Sequence, residues 1–364
     1  MAFGHGRMKA FSVRGRGKVK RRGPAGGRSS LHTRDGGERC PLRRTGKYGK
    51  EKDMIFSASR RTDIPTYYSE WLCNRLEAGN VCVRHDARRV TRYVFSREAV
   101  DCLVLWTKNP LPLLDRLALL RGWPCVFQFT LTGYGRDVEP GLPDKLQLVE
   151  AMKRLSEAFG SERVIWRYDP VIFGAGWDAP RHGAAFEKLA AALEGFSSRC
   201  IFSFLDWYPG MQGRMKGLAV QPDGVQRRHI AAAFAASARA HGFSLSTCCE
   251  PVEDLRDLDI GRAACIDPGL IEALLGCPIR RRKDPGQRPG CGCVESVDIG
   301  AYGTCLNGCR YCYANRSEAA AADNHLRHDP HSPLLIGWPE PEDEIVEREY
   351  GSIRLAQTSL FSGE

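Results

Sequence analysis

The sequence predicts an α/β fold: a partial or full (β/α) barrel followed by a C-terminal cysteine-rich region. Six apolar runs of strand length recur between residues 54 and 250, each followed by a helical pattern or a long loop. Polar residues close every run. Cysteines then gather after residue 250 at spacings that buried structural cysteines do not require.

The elements follow in order. Order begins at Met54, and Ile55 to Ala58 reads as a short strand with SRRTDIP as a polar loop behind it. Tyr67 to Ala78 has helical periodicity. VRHDARRVTRYVFS reads as an excursion of hairpin type. Cys102 to Trp106 is a second apolar run, closed by TKNP. A helix over Leu111 to Leu120 ends at Gly122, and Cys125 to Leu131 is the third run. The pattern repeats with helix Lys145 to Phe159, strand Val164 to Tyr168, helix Gly183 to Leu193 and strand Cys200 to Leu205. An alanine-rich helix, Val225 to His241, and strand Phe243 to Thr247 complete it. The runs are nearly continuous in apolar character, as parallel strands covered on both faces should be. Alternation of strand and helix implies crossover connections. No GxGxxG follows the first run, which argues against a doubly wound nucleotide-binding sheet.

In such a barrel the strand ends meet at one face, where sites are built. Arg60, Arg61 and Asp63 follow the first run, Lys108 and Asn109 the second. Arg167 and Asp169 close the fourth, Asp206 the fifth, and Cys248, Cys249 and Glu250 the sixth. These residues predict a polar mouth. Asp63 before Pro65 and Asp169 before Pro170 would also serve as helix caps.

Composition narrows the class. The chain has 364 residues, is 43% hydrophobic and contains no run of membrane-span length. Fifteen cysteines without an apolar leader point to metal or redox chemistry in a reducing compartment, the cytoplasm, rather than to disulfides. Residues 1–53 hold 16 Lys or Arg against 4 Asp or Glu, which leaves the rest of the chain near −2 of the total +10. That segment is read as a disordered basic tail, or as sequence upstream of a start at Met54. Residues 54–250 are read as the barrel-like domain and 251–364 as a cysteine-rich region.

CLNGCRYCYA sets Cys305, Cys309 and Cys312 at C-x3-C-x2-C spacing with Tyr311 before the last. Three thiolates so close suit a soft metal centre with three protein ligands and one free position. Cys265, Cys291 and Cys293, with Cys248 or Cys249, make a second group of four, enough for structural zinc or a fully ligated cluster. Strand alternation sends Cys248 and Cys249 opposite ways, and Cys249 is taken as the ligand.

CLNGCRYCYA resembles the cluster motif of the radical S-adenosylmethionine (SAM) superfamily. SASRRTDIP, LWTKNP, WRYDP and DIGAYGTCLNGCRYCYA resemble the DUF1848 family, bacterial domains of unknown function, over nearly all of the chain beyond the tail. The superfamily resemblance implies a [4Fe–4S] cluster on Cys305, Cys309 and Cys312, SAM on the open iron, and a 5′-deoxyadenosyl radical made by reductive cleavage. It also implies a low-potential electron donor such as a flavodoxin or ferredoxin. Arg60, Arg61, Asp63, Lys108, Asn109, Arg167 and Asp169 become candidates for holding SAM, and Cys249, Cys265, Cys291 and Cys293 for an auxiliary metal site. In most of the superfamily the motif follows the first strand. Here it follows six strand–helix units, so the barrel is permuted or the cysteine segment folds back across the mouth.

Two other functions stay open from sequence. One is a zinc-stabilised barrel hydrolase or lyase, disfavoured by the lack of histidine in the mouth: His85 falls in the excursion and His182 in a loop. The other is a nucleic-acid-binding or modifying protein with zinc-knuckle-like cysteines, favoured by the basic tail and Arg280 to Lys283. The near-neutral body favours a small-molecule substrate instead.

Overall fold

The structure is a computed structural model that describes residues 54–355 except 175, 209, 251, 252, 289 and 350. The expectations for residues 1–53 lie outside the described residues. Eight parallel strands form the main sheet: β1 (Ile55–Ala58), β4 (Cys102–Thr107), β5 (Cys125–Thr130), β6 (Val164–Val171), β7 (Arg199–Phe204), β8 (Ser244–Thr247), β9 (Gly261–Arg262) and β10 (Val297–Asp298). A separate sheet contains β2 (Asn80–Arg84), β3 (Arg89–Val94) and β11 (Glu344–Glu349). The main sheet runs β10-β1-β4-β5-β6-β7-β8-β9, a barrel-like wall whose edge strands do not pair with each other among the described residues.

The strand runs are apolar on both sides because both sides are covered. Phe56, Leu103, Leu105, Phe127, Phe129, Trp166 and Phe202 pack into the larger core with the crossover helices. Ile55, Val104, Val126, Ile165 and Ile201 alternate with them and meet Ile266, Leu270, Ile279, Val294 and Ile353. The second cover therefore comes from the C-terminal part of the chain. That part also extends the sheet at both edges: β9 pairs with β8, and β10 with β1 through Phe56↔Val297 and Ser57↔Asp298.

Helix Lys145–Phe159 has the expected bounds, capped by Asp144, whose side chain accepts from Leu146 N. Helix Ala179–Leu193 begins four residues before the expected Gly183, because Asp178 caps it and Pro180 suits its first turn. Leu111–Leu120 is not one helix but two turns, Leu111–Leu114 and Leu117–Leu120. The excursion is a hairpin of β2 and β3, and the acidic segment after Trp338 supplies β11 beside β3.

His182 lies inside helix Ala179–Leu193, not in a loop. It is fully buried, donates from Nε2 to Ile172 O (2.8 Å) and accepts at Nδ1 from the Tyr168 hydroxyl (3.1 Å). Burial pushes its pKa down to about 4. An unfolded chain binds this proton near pH 6.5, so between about 6.5 and about 4 the unfolded state holds more protons. Stability is thus full at neutral pH and falls as the pH drops through that window, by up to about 3 kcal/mol for this group. Unfolding midpoints across that range should show the loss, and His182→Phe should flatten it.

Candidate functional site

The C-terminal strand ends open into a cavity of about 650 Å³. Arg60, Arg61, Asp63, Lys108, Arg167 and Asp169 line it, as do both cysteine groups. Asn109 does not: it is buried in the turn after β4, where its Oδ1 accepts from Leu111 N at 3.2 Å.

The cysteine loop reaches the cavity through β10. Asp298 pairs beside Ser57 on β1, and its carboxylate accepts from Ser57, Ser59 and Arg60 N (3.1, 2.5 and 2.8 Å). In spatial order the strand that leads into CLNGCRYCYA is therefore the first of the sheet, although it is late in the chain.

Asp63 locks that loop to the neighbouring strand end. One oxygen accepts from Thr66 N (3.1 Å) and caps helix Ile64–Tyr67; the other accepts from Lys108 N (2.8 Å) and Asn307 Nδ2 (3.2 Å). Burial raises its pKa, and the hydrogen bonds from Lys108 and Thr66 hold it back. Asp63 thus has donors on both oxygens and a positioning role between Cys305 and β4.

Sequence reasoning missed Glu139. It lies in the loop after β5, 1% exposed, and accepts from Lys108 Nζ (3.0 Å), Lys145 Nζ (2.5 Å), Thr132 Oγ1 (3.0 Å) and the Tyr311 hydroxyl. Burial would raise its pKa, but Lys108 and Lys145 beside it bring it down to about 2. The same segment docks on the cysteine loop by backbone: Gly141 N donates to Asn307 O and Arg310 N to Val138 O, both at 3.0 Å. A Cβ at Gly141 would stand 2.7 Å from Asn307 O, so the approach requires glycine.

Cys305, Cys309 and Cys312 all face the cavity. Burial pushes the Cys305 thiol up to about 12 and the Cys309 thiol well above its usual range. Across the cavity, Cys265 Sγ lies 3.5 Å from Cys248 Sγ and accepts from Arg167 Nη1 at 3.0 Å. Hydrogen bonds from Cys248 and Cys293, with Arg167 beside it, hold Cys265 below the usual thiol range. Cys248 is thus the cysteine set against Cys265. Cys249 stands one residue on, its Sγ 3.9 Å from Cys248 Sγ, with a left-handed φ of 60°. Strand alternation does not govern the pair, because β8 ends at Thr247.

Arg167 also pairs with Asp169, which accepts from Ser203 Oγ at 2.5 Å. Arg60 and Arg167 both lie over the Trp106 ring, at 5.2 and 5.4 Å. Among the described residues, Arg60 Nη2, Thr62 Oγ1 and Ser296 Oγ are buried without a hydrogen-bond partner, and their residues all line the cavity. Buried polar groups ordinarily have partners. All fourteen described cysteines are free. Among the described residues, no three His, Cys, Asp or Glu side chains converge as ligands of a single metal ion. No described helix is long and apolar enough to cross a membrane.

Residues 55–314 match the family model described as a domain of unknown function, DUF1848. The match covers well over half of the chain, and the chain belongs to this family. No curated protein matches it.

Proposed function

We propose that this DUF1848 protein is a radical SAM-type enzyme whose cluster ligands are Cys305, Cys309 and Cys312 and whose substrate enters the cavity at the strand ends. The observation that carries the reading is the convergence of a three-cysteine loop and six strand ends on one cavity of about 650 Å³. The donor set fits: thiolates are the ligands of iron–sulfur clusters, and a four-iron cluster takes one per iron, so three leave one iron open. In such a cluster each thiolate would bind a different iron, so the three would not need to converge on one point. A [4Fe–4S] cluster held there would supply a low-potential electron for the reductive cleavage of bound SAM.

The chain's own residues bind, orient and exclude water. Asp63 and Asn307 hold the cysteine loop to β1 and β4. The unpartnered Nη2 of Arg60 and hydroxyls of Thr62 and Ser296 offer hydrogen bonds to a bound molecule. Arg60 suits a carboxylate, such as that of a methionyl group. Arg61 lies over Tyr302 at 5.1 Å, at the cavity lining. Cys248, Cys265, Cys291 and Cys293, with Cys249 beside them, are the donor set for an auxiliary iron–sulfur or zinc site, with Arg60 and Arg167 offsetting thiolate charge. A low-potential donor protein and a small-molecule substrate complete the reading.

The test is SAM turnover by the anaerobically reconstituted, reduced protein. Release of methionine and 5′-deoxyadenosine in equal amounts is expected; intact SAM from an iron-loaded, reduced sample would overturn it.

A further inference from the structure

Glu139 and its two lysines stand against the cysteine loop, with Lys108 also in the cavity lining. Segment 138–141 and segment 307–311 form a docked pair through two backbone hydrogen bonds and the close approach at Gly141. On that scaffold Lys108 Nζ lies 3.0 Å from one Glu139 oxygen and Lys145 Nζ 2.5 Å from the other. Tyr311, between Cys309 and Cys312, donates its hydroxyl to Glu139, and Lys108 Nζ lies 5.2 Å from the Tyr311 ring centre. Two ammonium groups against one carboxylate leave an excess of one positive charge. Little water screens it, since Glu139 is 1% exposed and the Lys108 side chain 16%.

We propose that Lys108, Glu139 and Lys145 form an electrostatic positioning device that sets the charge felt by the metal centre on Cys309. This rests on the reading of Cys305, Cys309 and Cys312 as cluster ligands. Reduction adds negative charge to a cluster, so a nearby cation favours the reduced form and a nearby anion the oxidised form. Lys108 and Glu139 are bonded to each other, yet they must act on the potential with opposite sign. A packing role predicts no such opposition, because loss of either partner would loosen the same loop.

The test uses Lys108→Met, Lys145→Met and Glu139→Gln in the full chain, reconstituted anaerobically with iron and sulfide. Iron per chain and the midpoint potential of the cluster are measured by redox titration. The expected result is wild-type iron content with a more negative potential in Lys108→Met and a less negative one in Glu139→Gln. Lys145→Met should shift it the same way as Lys108→Met but less, because its side chain is 27% exposed. Shifts of one sign for Lys108→Met and Glu139→Gln, or none, overturn the proposal. Should Glu139→Gln fail to fold, the two lysine variants still decide: both must move to more negative potential, Lys108→Met further. Wild-type protein that takes up no iron overturns the cluster reading and this proposal with it. Iron-loaded wild type with unshifted variants overturns this proposal alone.

Discussion

Glu139→Ala is expected to destabilise the folded chain by about 3–5 kcal/mol, the range for removing one partner of a buried ion pair. The carboxylate compensates Lys108 and Lys145 in a place almost closed to water. Without it, Lys108 keeps its charge beside the Tyr311 ring with its ion-pair partner gone, or loses its proton at a cost of similar size. Tyr311 and Thr132 lose their acceptor in the same step. Glu139→Gln keeps the shape and an acceptor and should cost less. Denaturant midpoints for the two variants measure the difference. A Glu139→Ala effect within the roughly 0.5 kcal/mol of an ordinary surface substitution would contradict the account of this hub.

Cys309→Ala should leave the fold nearly intact and abolish SAM cleavage. The side chain is 6% exposed and packs with Tyr134, Met211 and Tyr311, so truncation removes only a small apolar contact. The chemical loss is far larger. Changing groups that merely support a ligand costs about 10–100-fold in metal affinity or activity, and removing a ligand should exceed that. Circular dichroism and an SAM cleavage assay on the same anaerobic preparation separate the two effects. Wild-type cleavage by Cys309→Ala would remove Cys309 from the ligand set.

Much of this architecture is legible in the chain because its physical cause is local. β1, β4, β5, β6, β7 and β8 are apolar on both faces, and such runs announce themselves within a few residues of their true ends. Arg60, Lys108, Arg167 and Asp169 reach the same cavity because parallel strands end on one side. What stayed hidden depends on distant contacts. β9 and β10 are two residues each, too short for any periodic pattern, and β10 pairs with a strand some 240 residues earlier. That pairing places the cysteine loop first in spatial order. Glu139 stands in GYGRDVEPG among exposed charges such as Arg136 and Asp137, and nothing local marks it as the buried one. The Pro140-Gly141 dipeptide marks a turn there but not the burial of the residue before it. Strand alternation does not fix which way Cys248 and Cys249 point, because β8 ends at Thr247, one residue before the pair.

Metal and acid-labile sulfide analysis of anaerobically reconstituted wild-type protein tests the central claim most directly. The account predicts about four irons per chain, or about eight if the Cys265 group also holds a cluster, with matching sulfide. A chain that carries zinc and no iron or sulfide would contradict it.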